Sequence, residues 1–429
     1  MKIKSIVLKN FKGIDELEIL LNGKSTIIFG INGVGKSSVL RAIDLIYANI
    51  IARLIDSKKK LAQLSEDDIS YGKGQAIVNI TFEFENGYEI EYQRSISRKN
   101  GRKHKQERLR ELVAEFKTRY MEEGYVDKEG NWIEHDYKNM PIFVNYGVNR
   151  LVLDIPVKVY QKVSFNKMST FDKAIESKID FDALFKWFRN QEDIENQEKV
   201  RVSADYEDRS LKAVKQAMLA MLEGFEDIHI ERNPLAMKVK KEGRNLKINQ
   251  LSDGEKCTIA LFGDLARRLT LANPGLYNPL EGQGVVLIDE LDLHMHTSWQ
   301  RRVMGILRKT FPNIQFIVTT HSPQILGEID GEYNLLYMVR EDETVKMKRY
   351  SSFMGWDSNV ILEEVMETAS VNIRVKELIR EMYSCIDNKE YDKAEKMADY
   401  LDKISNGHVD GISGARVLIA RGRRNEKNR

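Results

Sequence analysis

The string GINGVGKS, Gly30 to Ser37, constrains this chain more than any other feature. It follows an apolar run, STIIFG, that ends at Gly30, and it opens a segment with an apolar stripe at Val39, Leu40, Ile43, Ile46 and Tyr47. Strand, glycine turn and helix in that order are what a phosphate-binding loop requires. Gly30, Gly33 and Gly35 free the backbone to turn its N–H groups toward phosphate oxygens, and Asn32 and Ser38 complete the cradle. The N-terminus of the following helix adds positive potential. Lys36 is placed to reach the β- and γ-phosphates of ATP, and Ser37 to hold Mg²⁺. A chance glycine-rich turn would lack these flanks.

A second apolar run, GVVLIDE, ends in two adjacent acids, Asp289 and Glu290. Unpaired buried charge is costly, so buried strands rarely end this way without cause. Asp289 reads as a ligand to Mg²⁺, direct or through water. Glu290 reads as the base that orients the attacking water, since a glutamate of ordinary pKa, about 4.3, is ionised near neutrality. The plainer alternative is an acid pair capping a strand–helix junction.

LSDGEK, Leu251 to Lys256, precedes a helix and offers a second anion site built from Ser252, Asp253, Gly254 and Glu255. It also reads as an ordinary N-cap with Glu255 in the first turn, and the two readings are compatible. His321 follows the strand IQFIVTT; a lone histidine is usually structural, but this position resembles the H-loop of ABC ATPases, which implies contact with the γ-phosphate. Asp292, His294 and His296 follow the acid pair at every second position, which admits a metal-site reading beside the nucleotide one.

The chain has 429 residues, 42% of them hydrophobic, enough for a packed core and two or three domains. With 67 basic and 65 acidic residues, global charge makes no case for nucleic acid, and only local patches could. Cys257 and Cys385 lack zinc spacing, which fits a reducing cytoplasm. No run is long enough to span a bilayer, so a cytoplasmic protein is expected. Residues 2–9 alternate as a strand, 76–96 read as a hairpin turning at Asn86-Gly87, and 141–146 read as a buried strand. The expected division is an N-terminal ATPase lobe at 1–165 and a helical insert at 166–227. A second ATPase lobe at 228–350 and a helical region with a basic tail at 351–429, which the family resemblance given below makes a partner-docking region, complete it. Heptads are not sustained, which excludes a long coiled-coil arm.

The order NFKG, GINGVGKS, LSDGEK, VVLIDE, TTHSP resembles the ABC-type P-loop ATPase heads of RecF and SMC proteins. The fold class implied is an α/β head with a helical insert and a helical C-terminal region. Asp253 departs from the ABC signature LSGGE, and the Q-loop is open between Asn145 and Tyr146, with no glutamine present. In ABC proteins the signature faces the γ-phosphate held by another subunit, so the resemblance implies a homo-oligomer, a dimer or an assembly of dimers. Finer strings are similar to PtuA, the ATPase of Septu and retron-associated anti-phage systems: YGVNR (146–150), FKWFRNQEDIENQ (185–197), LDLHMHTSWQRR (291–302) and the tail from GWDSN. That family implies an HNH nuclease partner, PtuB-like, regulated by nucleotide state.

DNA is a candidate ligand, directly or through such a partner. The basic stretch Arg94–Arg110 reads equally as a phosphate-contacting loop or a solvated connection, and the string from Arg416 to Arg429 as a disordered tail rather than a binding arm. The competing reading of the whole is a RecF-like ATP-dependent DNA clamp without a nuclease.

Overall fold

A computed structural model describes all residues except 57, 99–102, 122–123, 127–131, 135–138, 151–164, 369–371, 407, 410 and 428–429. Contacts divide the chain into two units, Met1–Gly355 and Trp356–Arg429.

The first unit opens with β1 (Lys2–Phe11) and β2 (Ile14–Leu20), a hairpin. The sequence reading had β1 but not its partner. Next come β3 (Thr26–Phe29), α1 (Lys36–Ile55), β4 (Gln75–Glu83), β5 (Glu89–Ser97), β6 (Lys103–Glu107) and α2 (Leu109–Tyr120). A short pair, β7 (Gly124–Val126) and β8 (Trp132–Glu134), leads to β9 (Ile142–Tyr146). The helical stretch contains α3 (Phe181–Arg201) and α4 (Arg209–Leu219), followed by β10 (Phe225–Arg232), β11 (Leu235–Lys241) and β12 (Arg244–Lys247). The remainder is α5 (Asp253–Ala272), β13 (Gly284–Ile288), α6 (Thr297–Thr310), β14 (Ile314–Thr320), α7 (Pro323–Leu326), β15 (Asn334–Glu341) and β16 (Thr344–Tyr350).

The central sheet runs β16-β15-β3-β14-β13-β9, parallel throughout except for the antiparallel edge strand β16. Residues of β3, β9, β13 and β14 are buried without exception, as expected where both faces of a parallel sheet are covered. Five antiparallel strands, β2-β1-β4-β5-β6, form a second sheet. The buried amide of Gln315 ties β14 to β1: its Oε1 accepts from Ile3 N at 2.8 Å and its Nε2 donates to Ile3 O at 3.0 Å. Helices α3 and α4 close on α5 at Gly263, where a Cβ would sit 2.8 Å from Leu184 and 3.0 Å from Met218.

A buried ion cluster locks α5 to the sheet. Asp264 accepts from Arg267 at 2.6 Å, Arg268 at 2.8 Å and the Tyr146 hydroxyl at 2.9 Å, and all four side chains are fully buried. Burial alone would raise the Asp264 pKa, but the two guanidiniums outweigh it and hold the carboxyl below its ordinary value.

The basic stretch is not a loop throughout. Arg94 is buried within β5 and donates to Ala62 O at 2.8 Å, Lys105 pairs with Glu107 on β6, and Arg108 pairs with Glu111. Lys99 and Arg102 lie outside the described residues.

In the second unit, α8 (Ser358–Val360) runs into a π turn, Ile361–Val365, and three helices follow: α9 (Ile373–Asp387), α10 (Tyr391–Ser405) and α11 (Ile412–Lys427). Met382, Ile386, Ala394, Ala398, Leu401, Ile412, Ala415 and Ile419 build their common core. The expectation of a disordered basic tail is corrected here. Ala415 and Ile419 give α11 a buried face, and Arg416 reaches Asp399 and Asp402 at 3.0 Å while Arg423 reaches Asp392 and Glu395 at 2.6 Å.

Candidate active site

β3 delivers the glycine loop to the top of the central sheet. Gly30 takes φ +149°, and a Cβ there would lie 2.2 Å from the carbonyl oxygen of Met338 on β15. Gly35, at φ +111°, is the N-cap of α1. Both positions therefore need glycine, one for close approach and one for the left-handed turn. Lys36 is buried and donates to Gly30 O and Ile31 O, each at 2.9 Å. Desolvation pulls its pKa down to about 8, against the pull of Glu290, Asp289 and Asp292. Ile31, Asn32, Gly33 and Ser37 are exposed, and Ser38 is half-buried.

Asp289 follows the last residue of β13, and its Oδ1 accepts from Ser37 Oγ at 3.2 Å and Thr319 Oγ1 at 2.5 Å. The Thr319 hydroxyl in turn accepts the Glu290 N–H at 2.8 Å. A single fully buried hydroxyl thus sets both acids. Glu290 itself is left-handed, φ +48°. Asp292 joins the turn after β13 to the end of β14, accepting from Thr320 Oγ1 at 2.6 Å and His321 N at 3.3 Å. Gln300 adds a second tie, donating to Met295 O at 3.0 Å and accepting from Ser322 Oγ at 2.7 Å. Burial, and then the neighbouring Lys36 ammonium, lower the His321 pKa. The structure therefore gathers Lys36, Ser37, Asp289, Glu290, Asp292 and His321 at one end of the parallel sheet. Thr319, Thr320 and Gln300 were not singled out in the sequence, where threonines in a strand read as ordinary β-formers.

Ser37 and Asp289 bring two hard oxygen donors together, the donor type that Mg²⁺ takes. These residues would hold that ion, which supplies charge neutralisation on the phosphates.

A cleft of about 240 Å³ opens beside them, lined by Ser37, Arg41, Asp44, Asn145, Ser177 and Asp289 among others. Of the two Q-loop candidates, Asn145 lines this cleft and donates to Ser177 Oγ at 2.8 Å, whereas the hydroxyl of Tyr146 is committed to Asp264. Asp44 was missed in the sequence. Desolvation raises its pKa to about 6, partly offset by Asn145 and Arg41, and its Oδ1 is buried with no hydrogen-bond partner among the described residues. A larger cleft of about 360 Å³, lined by Arg119, Asn139, Asn273 and Glu281 among others, contains none of the site residues.

LSDGEK forms the start of α5. Ser252 caps the helix through a capping box with Glu255, which also pairs with Lys241 at 2.7 Å. Ser252 and Asp253 are exposed, and Asp253 pairs with Lys256 at 2.7 Å. A Cβ on Gly254 would lie 2.5 Å from His294 O, so the signature loop packs directly on the turn after β13. Among the described residues, no hydrogen bond or ion pair joins residues 251–256 to the glycine loop. The metal reading of Asp292, His294 and His296 is not supported by their placement. Asp292 accepts from the backbone N–H of His321, His296 caps α6 through Ser298 N at 3.3 Å, and among the described residues no three His, Cys, Asp or Glu side chains are arranged to hold a metal ion.

Residues 25–327 match the family described as "AAA domain, putative AbiEii toxin, Type IV TA system". The chain is 29% identical to the Retron Ec83 probable ATPase of Escherichia coli, over 86% of this chain and 77% of that protein. It is 30% identical to the Retron Vc95 probable ATPase of Vibrio cholerae serotype O1 biovar El Tor, over 77% of this chain and 72% of that protein. The Septu protein PtuA of Bacillus mycoides matches at 32%, over 35% of this chain and 21% of that protein. Among solved structures, the SMC head domain from Thermotoga maritima covers 82% of this chain and 99% of its own, with 18% identity and a TM-score of 0.44. The chain belongs to this AAA-domain family, with the retron ATPases, as a P-loop ATPase that over part of its length is similar to PtuA.

Proposed function

We propose that this chain is the ATP-binding and hydrolysing subunit of an anti-phage defence complex, and that its nucleotide state regulates an HNH nuclease with which it assembles. The observation that carries the ATPase half is the arrangement around Thr319. One hydroxyl holds the magnesium-type carboxylate of Asp289 and the backbone of Glu290. Lys36 supplies positive charge to the phosphates, Ser37 and Asp289 hold the ion, Glu290 orients water, and His321 addresses the γ-phosphate. The retron and Septu names of its relatives support the defence setting. The exposure of Ser252, whose loop has no hydrogen bond or ion pair to the glycine loop among the described residues, supports pairing of one protomer's signature with another's phosphate site. ATP shifts such an assembly only through its different affinity for the two states.

The test is co-purification of the full chain with the product of its neighbouring gene, with and without ATP. A stable complex whose DNA cutting responds to ATP supports the proposal. A chain that purifies alone and binds DNA only with ATP overturns it in favour of a RecF-like clamp.

A further inference from the structure

Arg150 ends the string YGVNR beyond β9 and is 4% exposed. Its Nη2 donates to the carbonyl of Glu290 at 2.5 Å. Its own carbonyl accepts from Cys257 Sγ at 3.4 Å, and Cys257 lies in α5, three residues after Gly254. Arg150 therefore touches both the helix that begins at Ser252 and the backbone of the acid that follows Asp289. Its Nη1 is buried with no hydrogen-bond partner among the described residues.

Burying a guanidinium this deeply costs stability, and leaving one of its donors unused costs more. Asp289, Asp292 and Glu290 offset part of that through their charge. The residue makes sense through what it holds. A left-handed glutamate is strained and persists only where its surroundings over-determine it. At Glu290 the N–H is held by Thr319 and the C=O by Arg150. Held on both sides of its Cα, the residue has a fixed direction in which its side chain leaves the backbone.

We propose that Arg150 is a positioning residue that couples the Ser252 helix to Glu290. Engagement of Ser252 by a phosphate shifts the start of α5, and the Cys257–Arg150 contact passes that shift to the Glu290 peptide. Turnover thereby depends on the signature being engaged, while nucleotide binding does not depend on Arg150. The inference rests on the ATPase reading of Glu290 given above.

The experiment compares Arg150→Ala, Arg150→Lys, Glu290→Gln and the Arg150→Ala/Glu290→Gln double variant in the full chain, measuring ATP affinity and turnover separately. Misplacing a catalytic group by about 1 Å can cost on the order of 100-fold. Arg150→Ala is expected to lose kcat on that scale with nucleotide affinity unchanged, and the double variant to turn over no more slowly than Glu290→Gln alone. Added guanidinium restores part of the turnover of Arg150→Ala and none to Glu290→Gln. Arg150→Lys keeps the charge but not the fork, so a smaller loss of kcat with unchanged KM is expected. Full turnover in Arg150→Ala, or a deficit that adds in full to that of Glu290→Gln, overturns the proposal. So does a lysine variant with raised KM and intact kcat, even where the alanine variant does not fold. Wild-type turnover in Glu290→Gln instead removes the catalytic reading of Glu290 itself.

Discussion

Ser37 and Asp289 lie 252 residues apart in the chain and meet through a hydroxyl–carboxylate hydrogen bond of 3.2 Å. Removing the carboxylate removes half of a paired oxygen site. Asp289→Ala is expected to bind ATP in chelator as the wild type does and to lose the gain that Mg²⁺ brings. Titrating ATP with and without Mg²⁺ measures this, and an undiminished Mg²⁺ gain would exclude Asp289 as a ligand.

Lys36 gives a pH dependence with a definite sign. Its pKa in the free chain is about 8, and bound phosphates favour the charged form, so binding above that pH takes up a proton. ATP affinity is expected to fall as pH rises past about 8. Lys36→Arg, charged throughout, is expected to flatten the profile, and Lys36→Ala to abolish binding and protection. A wild-type affinity that is constant from pH 7 to 10, or full protection by Lys36→Ala, contradicts this role.

Asp44 links the cleft to stability. Its folded pKa, about 6, exceeds the ordinary 3.8, so the folded chain keeps a proton that the unfolded chain has already released. Stability therefore falls as pH rises through that window, by about 2–3 kcal/mol in total. Asp44→Asn is expected to raise Tm at pH 7.5 and to leave it nearly unchanged at pH 4. A Tm shift equal at both pH values would show that the carboxylate is not the cause.

Asp264 is the shared anion for two fully buried arginines. Replacing it with asparagine leaves both guanidiniums short of a counter-charge, and breaking a buried pair this way costs about 3–5 kcal/mol. Thermal or denaturant unfolding of Asp264→Asn is expected to show a loss of that order. A loss below about 1 kcal/mol would mean that the cluster relaxes or admits water.

Local pattern carried the elements that depend on local pattern. The glycine loop, the acid pair and the signature are contiguous strings, and their flanks show the periodicity of strand or helix. Thr319 and Arg150 are different in kind. Each gains its role from a backbone group far away in the chain, and neither residue type is unusual where it stands. That Asn145 rather than the Tyr146 hydroxyl meets the cleft depends on which face of β9 is turned to it, which the neighbouring elements set. Likewise the string that forms α11 read as a disordered tail because its charges are dense locally. The acids that pair with Arg416 and Arg423 sit on α10, 14 to 31 residues away.

The strand order has a temporal consequence. β3, which delivers the glycine loop, is flanked in the sheet by β14 and β15, whose first residues are Ile314 and Asn334. During synthesis β3 must wait for some 290 further residues, roughly 15–60 s at ribosomal speed. Its apolar edges have no sheet neighbour in that interval, and pairing so distant is slow to close even once the chain is complete. Until β14 has emerged the glycine loop stands on a strand with no sheet partner, and by then the turn that carries Glu290 has already been made.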